Sequence, residues 1–326
     1  MTTVFDISSI INNIPLLLEG LYTLTEDDIN LCKSISDHLV ETSCLLIKDP
    51  RVVKKDNDVF LDLMEDYFSQ SDDIKKVDSR PEIHYQVGST PSLIETPRIL
   101  QDENLRAKLE ALPEEHKAIM PVHADVKWRY FWRLGPRPKC SAFYDLNPPP
   151  VIPQHFPQFA TIMDMWGKKL HDTAEAVAVL IAIGFGLPPS SILDLMHEGP
   201  HLLAPTGSDL SRFGSKNSVL AGYHYDLNLL TLHGKSRFPG LHLWLSNGRR
   251  IVAKVPEGAI LVQAGKQMEW LTGGMVKAGM HEVVVTDALL ATIRSAEAYN
   301  RELEEAGRSG EAKGEDLDKE GGGGEG

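Results

Sequence analysis

The feature that most constrains the fold is a series of short apolar segments, separated by turns, between about residues 218 and 286. Segments of this length and spacing are typical of a β-sandwich or barrel, with a jelly-roll as one option. Asn247-Gly248, between two of the segments, is a strong hairpin signal. The predicted strands are 219–224, 229–232, 241–245, 251–255, 259–263, 269–271 and 280–285.

The chain before this region has a mixed pattern. Thr25, followed by Glu26, Asp27 and Asp28, predicts the start of a helix, because carboxylates favour the positive end of the helix dipole. Apolar residues at alternating steps of three and four, from Met163 onward, predict one long helix that ends at the glycines 184 and 186. Other predicted elements are a strand over 43–48 and helices over 29–40, 59–68 and 288–306.

Composition excludes some classes of partner. The 326 residues carry a formal net charge of −13, which disfavours nucleic acid as a partner. Three widely spaced cysteines without a CxxC pair indicate unpaired thiols in a reducing compartment, so the expected location is cytoplasmic. No signal peptide or apolar membrane span is evident, and a monomer is expected.

A candidate metal site lies within the strand-rich region. His224 and Asp226 are two positions apart at a strand end, so both side chains can point to one side of a sheet. His281, which begins another predicted strand, supplies a third ligand. Two imidazoles and one carboxylate leave three adjacent metal positions open, the arrangement that iron(II) oxygenases use. His123 and Asp125 have the same spacing, but they follow a charged stretch and have no comparable third histidine, so we interpret them as a chance pair.

The sequence blocks around these residues resemble a known family. VLAGYHYDLNLLTLH, RFPGLHLWLSNGR, VPEGAILVQAGKQMEWLTGG and HEVVV resemble the isopenicillin N synthase-like group of 2-oxoglutarate- and iron(II)-dependent dioxygenases. The resemblance implies Fe(2+) held by His224, Asp226 and His281, with 2-oxoglutarate and dioxygen as co-substrates. It also implies oxidation of a small organic molecule, by hydroxylation or desaturation, while 2-oxoglutarate is converted to succinate and carbon dioxide.

The resemblance also implies an architecture. We expect a mixed α+β chain dominated by β structure, with a double-stranded β-helix (jelly-roll) core, flanking helices and an α/β N-terminal cap. The expected division is 1–115 for the cap region, 116–200 for a linker and long spine helix, and 201–306 for the jelly-roll domain. Residues 307–326 form an acidic, glycine-rich tail that we expect to be disordered.

The chain departs from the family pattern where 2-oxoglutarate binds. The family has an Arg-x-Ser about ten residues after the second histidine, on a final strand, whereas here Arg294 follows 13 residues later in a helical stretch. Arg294 is the candidate for cofactor binding, with Arg237 and Lys266 as substitutes. A tyrosine that often assists is also missing from residues 201–205.

These departures leave two alternatives open. The first is a truncated, catalytically impaired jelly-roll protein that binds a metal or ligand only. The second is a cupin-like zinc or manganese isomerase, which fits the fold but not the specific blocks.

Among neighbouring residues, we expect Trp244 and Trp270 to pack in the core and Tyr225 to point away from the metal. His233 and His242 are expected at the surface or in support of the ligands.

Overall fold

The computed structural model describes residues 3–295. The predicted helix 288–306 lies partly outside these residues, and the predicted tail 307–326 lies wholly outside them. The division of the chain into four domains remains a prediction.

Most helices of the described chain lie before residue 200, and most strands lie after it. The helices are α1 (Ile14–Leu18), α2 (Glu26–Thr42), α3 (Lys54–Ser69), α4 (Asp72–Val77), α5 (Glu103–Glu110), α6 (Phe159–Gly184), α7 (Leu193–Met196), α8 (Leu210–Phe213) and α9 (Lys266–Leu271). The strands are β1 (Val4–Asp6), β2 (Cys44–Lys48), β3 (Gly88–Thr90), β4 (Trp128–Arg133), β5 (Leu202–Leu203), β6 (Thr206–Gly207), β7 (Val219–His224), β8 (Leu230–His233), β9 (Leu241–Trp244), β10 (Arg250–Val252), β11 (Ile260–Ala264) and β12 (Met280–Val284). The chain is mixed α+β, as predicted, but helical residues outnumber strand residues, so the prediction that β structure dominates is wrong.

Two four-stranded sheets form the core around the candidate site. One has the order β1-β2-β11-β8 and the other β10-β9-β12-β7, and all pairs except β1 with β2 are antiparallel. The sheets face each other across an apolar cluster in which Leu46 and Leu261 of the first meet Leu243 of the second. Two facing antiparallel sheets are the arrangement of a jelly-roll.

A third sheet lies against the long helix α6. Its strands run in the order β3-β4-β5, and β6 also pairs with β4. Tyr130 and Trp132 of β4 are almost fully buried, and their rings contact Phe159 of α6. Strand alternation therefore turns Arg129 and Phe131 to the opposite face of this sheet.

Local sequence signals account for several element boundaries. At the start of α2, the Thr25 hydroxyl accepts from the Asp28 backbone N–H, and the Asp28 carboxylate accepts from the Thr25 N–H, a reciprocal capping box. The predicted hairpin forms between β9 and β10, where Gly248 has a φ of 85°. The long helix is confirmed as α6. None of the helices within residues 3–295 is both long and apolar enough to span a bilayer.

One predicted strand is wrong. Residues 269–271 belong to helix α9, whose first turn is stabilised by an ion pair between Lys266 and Glu269 at helical spacing. Trp270 consequently lies on an exposed helix face, with 66% of its surface accessible, and not in the core. Three residues are too few for the spacing of apolar side chains to distinguish a strand from a helical turn.

Candidate metal centre

His224 and His281 face each other across two paired strands. His224 ends β7, His281 lies in β12, and the two are direct partners in the antiparallel ladder, with ring centroids 4.1 Å apart. The His224 Nδ1 lies 2.6 Å from the Gly222 carbonyl, and the His281 Nδ1 lies 3.4 Å from that of Gly279. Because Nδ1–H donates to a carbonyl in each case, the Nε2 lone pair of both rings is free to bind a metal.

Asp226 follows β7 and completes a group of three. Its Oδ1 lies 3.9 Å from His224 Nε2, and its Oδ2 lies 4.0 Å from His281 Nε2. The Thr231 hydroxyl donates a 2.5 Å hydrogen bond to Oδ2, and the Asp226 carbonyl accepts from the Lys266 backbone N–H. The carboxylate of Asp226 is therefore held from β8, and its backbone from the start of α9.

The donor set fits a divalent metal ion. The ligand atoms of His224, Asp226 and His281 all lie within 4.8 Å of one another. Donors about 2.1 Å from a metal and at right angles to each other are roughly 3 Å apart, so the ligand atoms need to close by about 1–2 Å. Two imidazoles and a carboxylate on one side of an ion leave its other side available to ligands.

Protonation states also suit a metal. Burial lowers the pKa of His281, and the neighbouring His224 lowers it further, so the ring is neutral at physiological pH. Burial alone would raise the pKa of Asp226, but its electrostatic interactions with His281 and His224 and the Thr231 hydrogen bond outweigh burial and lower the pKa. A neutral imidazole and an ionised carboxylate are the ligand forms that bind metals.

Asp125 has a structural role beside the centre. Its Oδ1 accepts a 2.9 Å hydrogen bond from the buried Gly222 N–H, two residues before His224, and its Oδ2 is ion-paired with Lys127. A Cβ at Gly222 would lie 2.7 Å from Pro97, so this approach needs a residue without a side chain. His123 is exposed and bonds to the adjacent carbonyl of Ala124. Asp125 of the second His-x-Asp pair thus supports the strand that carries the first pair.

The two other nearby histidines lie outside the group of three. His233 is half-buried, lies 5.7 Å from His281 between ring centroids, and has its Nε2 2.9 Å from the side-chain oxygen of Gln263. His242 is buried on β9, where its Nδ1 lies 3.0 Å from the Gly240 carbonyl. His242 is therefore not a surface residue.

A buried ion pair flanks His281. Glu282, which is fully buried, is ion-paired with Arg250 of β10 and accepts a 3.2 Å hydrogen bond from the Ile119 backbone N–H. This carboxylate links the segment around residue 119 to the sheet that carries His281.

Core packing of Trp244 is confirmed, since its buried ring meets Tyr223 edge-on at 4.6 Å.

Cations surround Tyr225, the residue between His224 and Asp226. Its half-buried ring lies beneath the Arg98 guanidinium at 5.2 Å and the Lys266 ammonium at 5.3 Å. Such cation–π contacts fix a side chain that the alternation of the strand directs away from the ligands.

Lys266 is ion-paired with Glu269, and Arg237 with the carboxylates of Asp62 and Glu65. Both sequence-predicted substitutes for a carboxylate-binding arginine therefore already have carboxylate partners.

The chain after β12 is helical, not extended. A helix begins at residue 287 and continues to 295, and its apolar residues Leu289, Leu290 and Ile293 pack against Val285. Arg294 is exposed on this helix, and within residues 3–295 it has no ion-pair partner. Its assignment to cofactor binding remains a prediction.

In the described chain β8 pairs only with β11, so the other edge of β8 has no strand beside it.

A second group of potential ligands lies on α6. The ligand atoms of His171, Asp172 and Glu175 are also within 4.8 Å of one another. The Asp172 carboxylate, however, already accepts two 2.8 Å hydrogen bonds from Lys168. Asp226 has no lysine or arginine within ion-pair distance in the described chain, and this difference favours the group formed by β7 and β12.

Sequence reasoning missed Arg129. Its guanidinium is ion-paired with Glu95 and lies 3.7 Å from the Phe131 ring centroid. Burial lowers the pKa of Arg129, while the negative charges of Glu95, Asp125 and Asp226 oppose that effect. The signal that would have found it is the pattern Trp-Arg-Tyr-Phe-Trp-Arg over residues 128–133, because alternation places arginines opposite a buried aromatic face.

Comparisons with known proteins give a match to one family model and similarity to several solved structures. Residues 203–290 match the family model described as the 2OG-Fe(II) oxygenase superfamily. A full-length Neurospora crassa protein, crystallised in complex with alpha-KG, is similar with a TM-score of 0.63 and 17% identity, over 87% of this chain and 79% of that one. A 2OG-Fe(II) oxygenase family protein from Caulobacter crescentus has a TM-score of 0.62 and 17% identity, over 81% and 78%. The dioxygenase for auxin oxidation 1 from Arabidopsis thaliana has a TM-score of 0.53 and 14% identity, over 88% of each chain.

Proposed function

We propose that this protein is an iron(II)- and 2-oxoglutarate-dependent dioxygenase that oxidises a small organic molecule, since residues 203–290 match the family model of the 2OG-Fe(II) oxygenase superfamily. The observation that carries the proposal is the convergence of His224, Asp226 and His281, with both Nε2 atoms about 4 Å from one carboxylate. These three residues would hold Fe(2+). Hydroxylation or desaturation of the substrate is the expected outcome.

The protein's own contribution is to fix the ligands and to keep them in the required protonation state. Bound iron(II) would supply the activation of dioxygen coupled to 2-oxoglutarate decarboxylation. His224 and His281 keep their Nε2 atoms available for the metal because their Nδ1 atoms donate to the backbone. Asp226 keeps its orientation because Thr231 donates to it. Such supporting hydrogen bonds preserve the metal geometry through a reaction cycle.

The expected partners are a small-molecule substrate and dioxygen. The proposal includes a monomeric state, a cytoplasmic location and no nucleic-acid partner. The net charge of −13 supports the absence of nucleic acid, since a phosphate backbone would be repelled. The three widely spaced cysteines, which form no CxxC pair in the sequence, support a reducing compartment.

The test is production of succinate from 2-oxoglutarate by purified protein under air. We expect turnover that requires added Fe(2+), is lost on chelation, and falls to the no-enzyme rate in His224→Ala, which removes a metal ligand. His123→Ala is the matched control, because His123 belongs to the other His-x-Asp pair but is exposed, and it should retain wild-type turnover. Equal turnover in wild-type protein and His224→Ala would contradict the proposal.

A second candidate is a jelly-roll protein that binds a metal or ligand without catalysis. It is favoured by the helix at 287–295, which lies where the family pattern has an arginine-bearing strand, and by the unpaired edge of β8 within the described residues. This candidate predicts stoichiometric metal binding that His224→Ala removes, but no succinate above background. Metal analysis of anaerobically purified protein also separates the dioxygenase from a zinc or manganese isomerase.

A further inference from the structure

Arg129 lies on the face of its sheet opposite the buried aromatic rings of β4. β4 is the central strand of its sheet, and Arg129 lies opposite Thr90 of β3 on one side and Thr206 of β6 on the other. The neighbours Trp128 and Tyr130 are buried on the face that includes the contact with α6. Arg129 is therefore presented from a paired strand and not from a mobile loop, which favours precise positioning.

A chain of contacts links Arg129 to the metal ligands. Glu95 is ion-paired with both Arg129 and Lys127, and Lys127 is ion-paired in turn with Asp125. Asp125 accepts from the Gly222 N–H, and the Gly222 carbonyl bonds to His224. The two cations balance the two carboxylates, so this network leaves no net negative charge beside Arg129 to repel an anion.

The guanidinium has an edge without adequate partners. Its Nη1 is held by Glu95, and its Nη2 makes only a long 3.4 Å hydrogen bond to the Thr90 hydroxyl. Its Nε is buried and has no hydrogen-bond partner in the described chain. Buried donors are nearly always satisfied, so an unsatisfied N–H needs an explanation. The Nε–Nη2 edge is the one that accepts a carboxylate through two parallel hydrogen bonds.

We infer that Arg129 binds a carboxylate group of a ligand that occupies the metal centre. The inference rests on the proposed function and extends it to a residue on β4. Phe131, half-buried on the same face and in contact with the guanidinium, supplies an apolar surface for the carbon chain next to that carboxylate. The carboxylate belongs either to the far end of 2-oxoglutarate or to an acidic substrate, and these two sources give different results in binding experiments.

The test uses calorimetric titration with Mn(2+) in place of iron, so that no turnover is needed. The first probes are 2-oxoglutarate and 2-oxovalerate, which differ in the far carboxylate. If that group is the ligand, Arg129→Gln weakens 2-oxoglutarate binding by at least about tenfold and leaves 2-oxovalerate unchanged. If the carboxylate belongs to a substrate, 2-oxoglutarate binding is unchanged. Binding of benzoate or hexanoate to the protein loaded with Mn(2+) and 2-oxoglutarate then weakens to the same extent.

Three further variants separate binding from folding. Glu95→Gln/Arg129→Gln keeps the network neutral and should show the same ligand selectivity as Arg129→Gln. Arg129→Lys keeps the charge but not the planar fork, so we expect only partial recovery of affinity. Arg294→Gln tests the rival assignment, because Arg294 is the exposed arginine that the sequence suggests for this role; if Arg129 has the role, Arg294→Gln keeps the wild-type affinity.

The outcomes are distinct. If wild-type protein binds no Mn(2+), the proposed function fails. If it binds Mn(2+) and 2-oxoglutarate but Arg129→Gln changes no carboxylate affinity by more than about twofold, this inference alone is overturned. Loss of affinity in Arg294→Gln with wild-type behaviour in Arg129→Gln also overturns it and assigns the role to Arg294.

Discussion

Removing the hydroxyl of Thr231 should weaken metal binding without unfolding the protein. Thr231 donates to Asp226 Oδ2 at 2.5 Å and accepts from the Asn228 side-chain N–H at 2.9 Å, so its proton points to the carboxylate. Thr231→Val replaces the hydroxyl with a methyl group of similar size, and both residue types suit a strand. The change therefore removes the hydrogen bond to Asp226, together with the one that Thr231 accepts from Asn228, and leaves the shape of the side chain nearly intact.

The magnitude follows from the nature of that bond. A hydrogen bond to a charged group contributes about 1.5–3 kcal/mol. Loss of a residue that orients a metal ligand typically lowers metal affinity about 10- to 100-fold, which corresponds to about 1.4–2.7 kcal/mol. The Thr231 bond also lowers the pKa of Asp226, so its loss raises that pKa. Protons then compete with the metal at higher pH, and the defect should be larger at pH 5.5 than at pH 7.5.

The assay is Mn(2+) titration of the apo protein at both pH values, followed by urea unfolding. Thr231→Ser, which retains the hydroxyl, is the matched control and should bind within about threefold of wild type. Wild-type affinity in Thr231→Val at both pH values would refute the reasoning. Equal weakening in Thr231→Ser would also refute it, because the effect would then come from packing and not from the hydrogen bond.

Three further predictions concern stability. Glu282→Ala should lower the free energy of unfolding in urea by about 3–5 kcal/mol, because it leaves the Arg250 charge without its buried partner, and a loss below about 1 kcal/mol would contradict this. Asp125→Ala should cost about 1–3 kcal/mol by leaving the Gly222 N–H unsatisfied, and hydrogen exchange at that amide should accelerate. Burial and Arg250 lower the pKa of His242, so the unfolded chain takes up the proton first and stability falls as pH drops below about 6.5. Replacing His242 with Gln should remove about 1 kcal/mol of the stability difference between pH 7.5 and 5.5, and an unchanged difference would show that this ring does not contribute.

The three metal ligands could be predicted from the sequence because the patterns that indicate them are local. Alternation places His224 and Asp226 on one side of a strand end, and the short apolar segments indicated the sheets that bring His281 opposite His224. Six of the seven predicted strands in this region correspond to β7 to β12. The exception, 269–271, is too short for its period to decide between strand and helix.

Long-range contacts could not be read in the same way. Asp125 is 97 positions from Gly222, and nothing in the local pattern indicates that its carboxylate reaches that amide. Arg129 is likewise remote in sequence from Asp226. Its orientation became evident only once the partners of β4 and its contact with α6 were known. Pairings between distant segments depend on the whole topology and not on the period of any one segment.

The measurement that tests the central claim most directly is an anomalous-scattering crystal structure of protein grown with Mn(2+). One peak should lie within about 2.0–2.3 Å of His224 Nε2, His281 Nε2 and a carboxylate oxygen of Asp226, with the other side of the ion facing away from these ligands. A peak at any other place, or an ion bound by fewer than all three residues, would contradict the account.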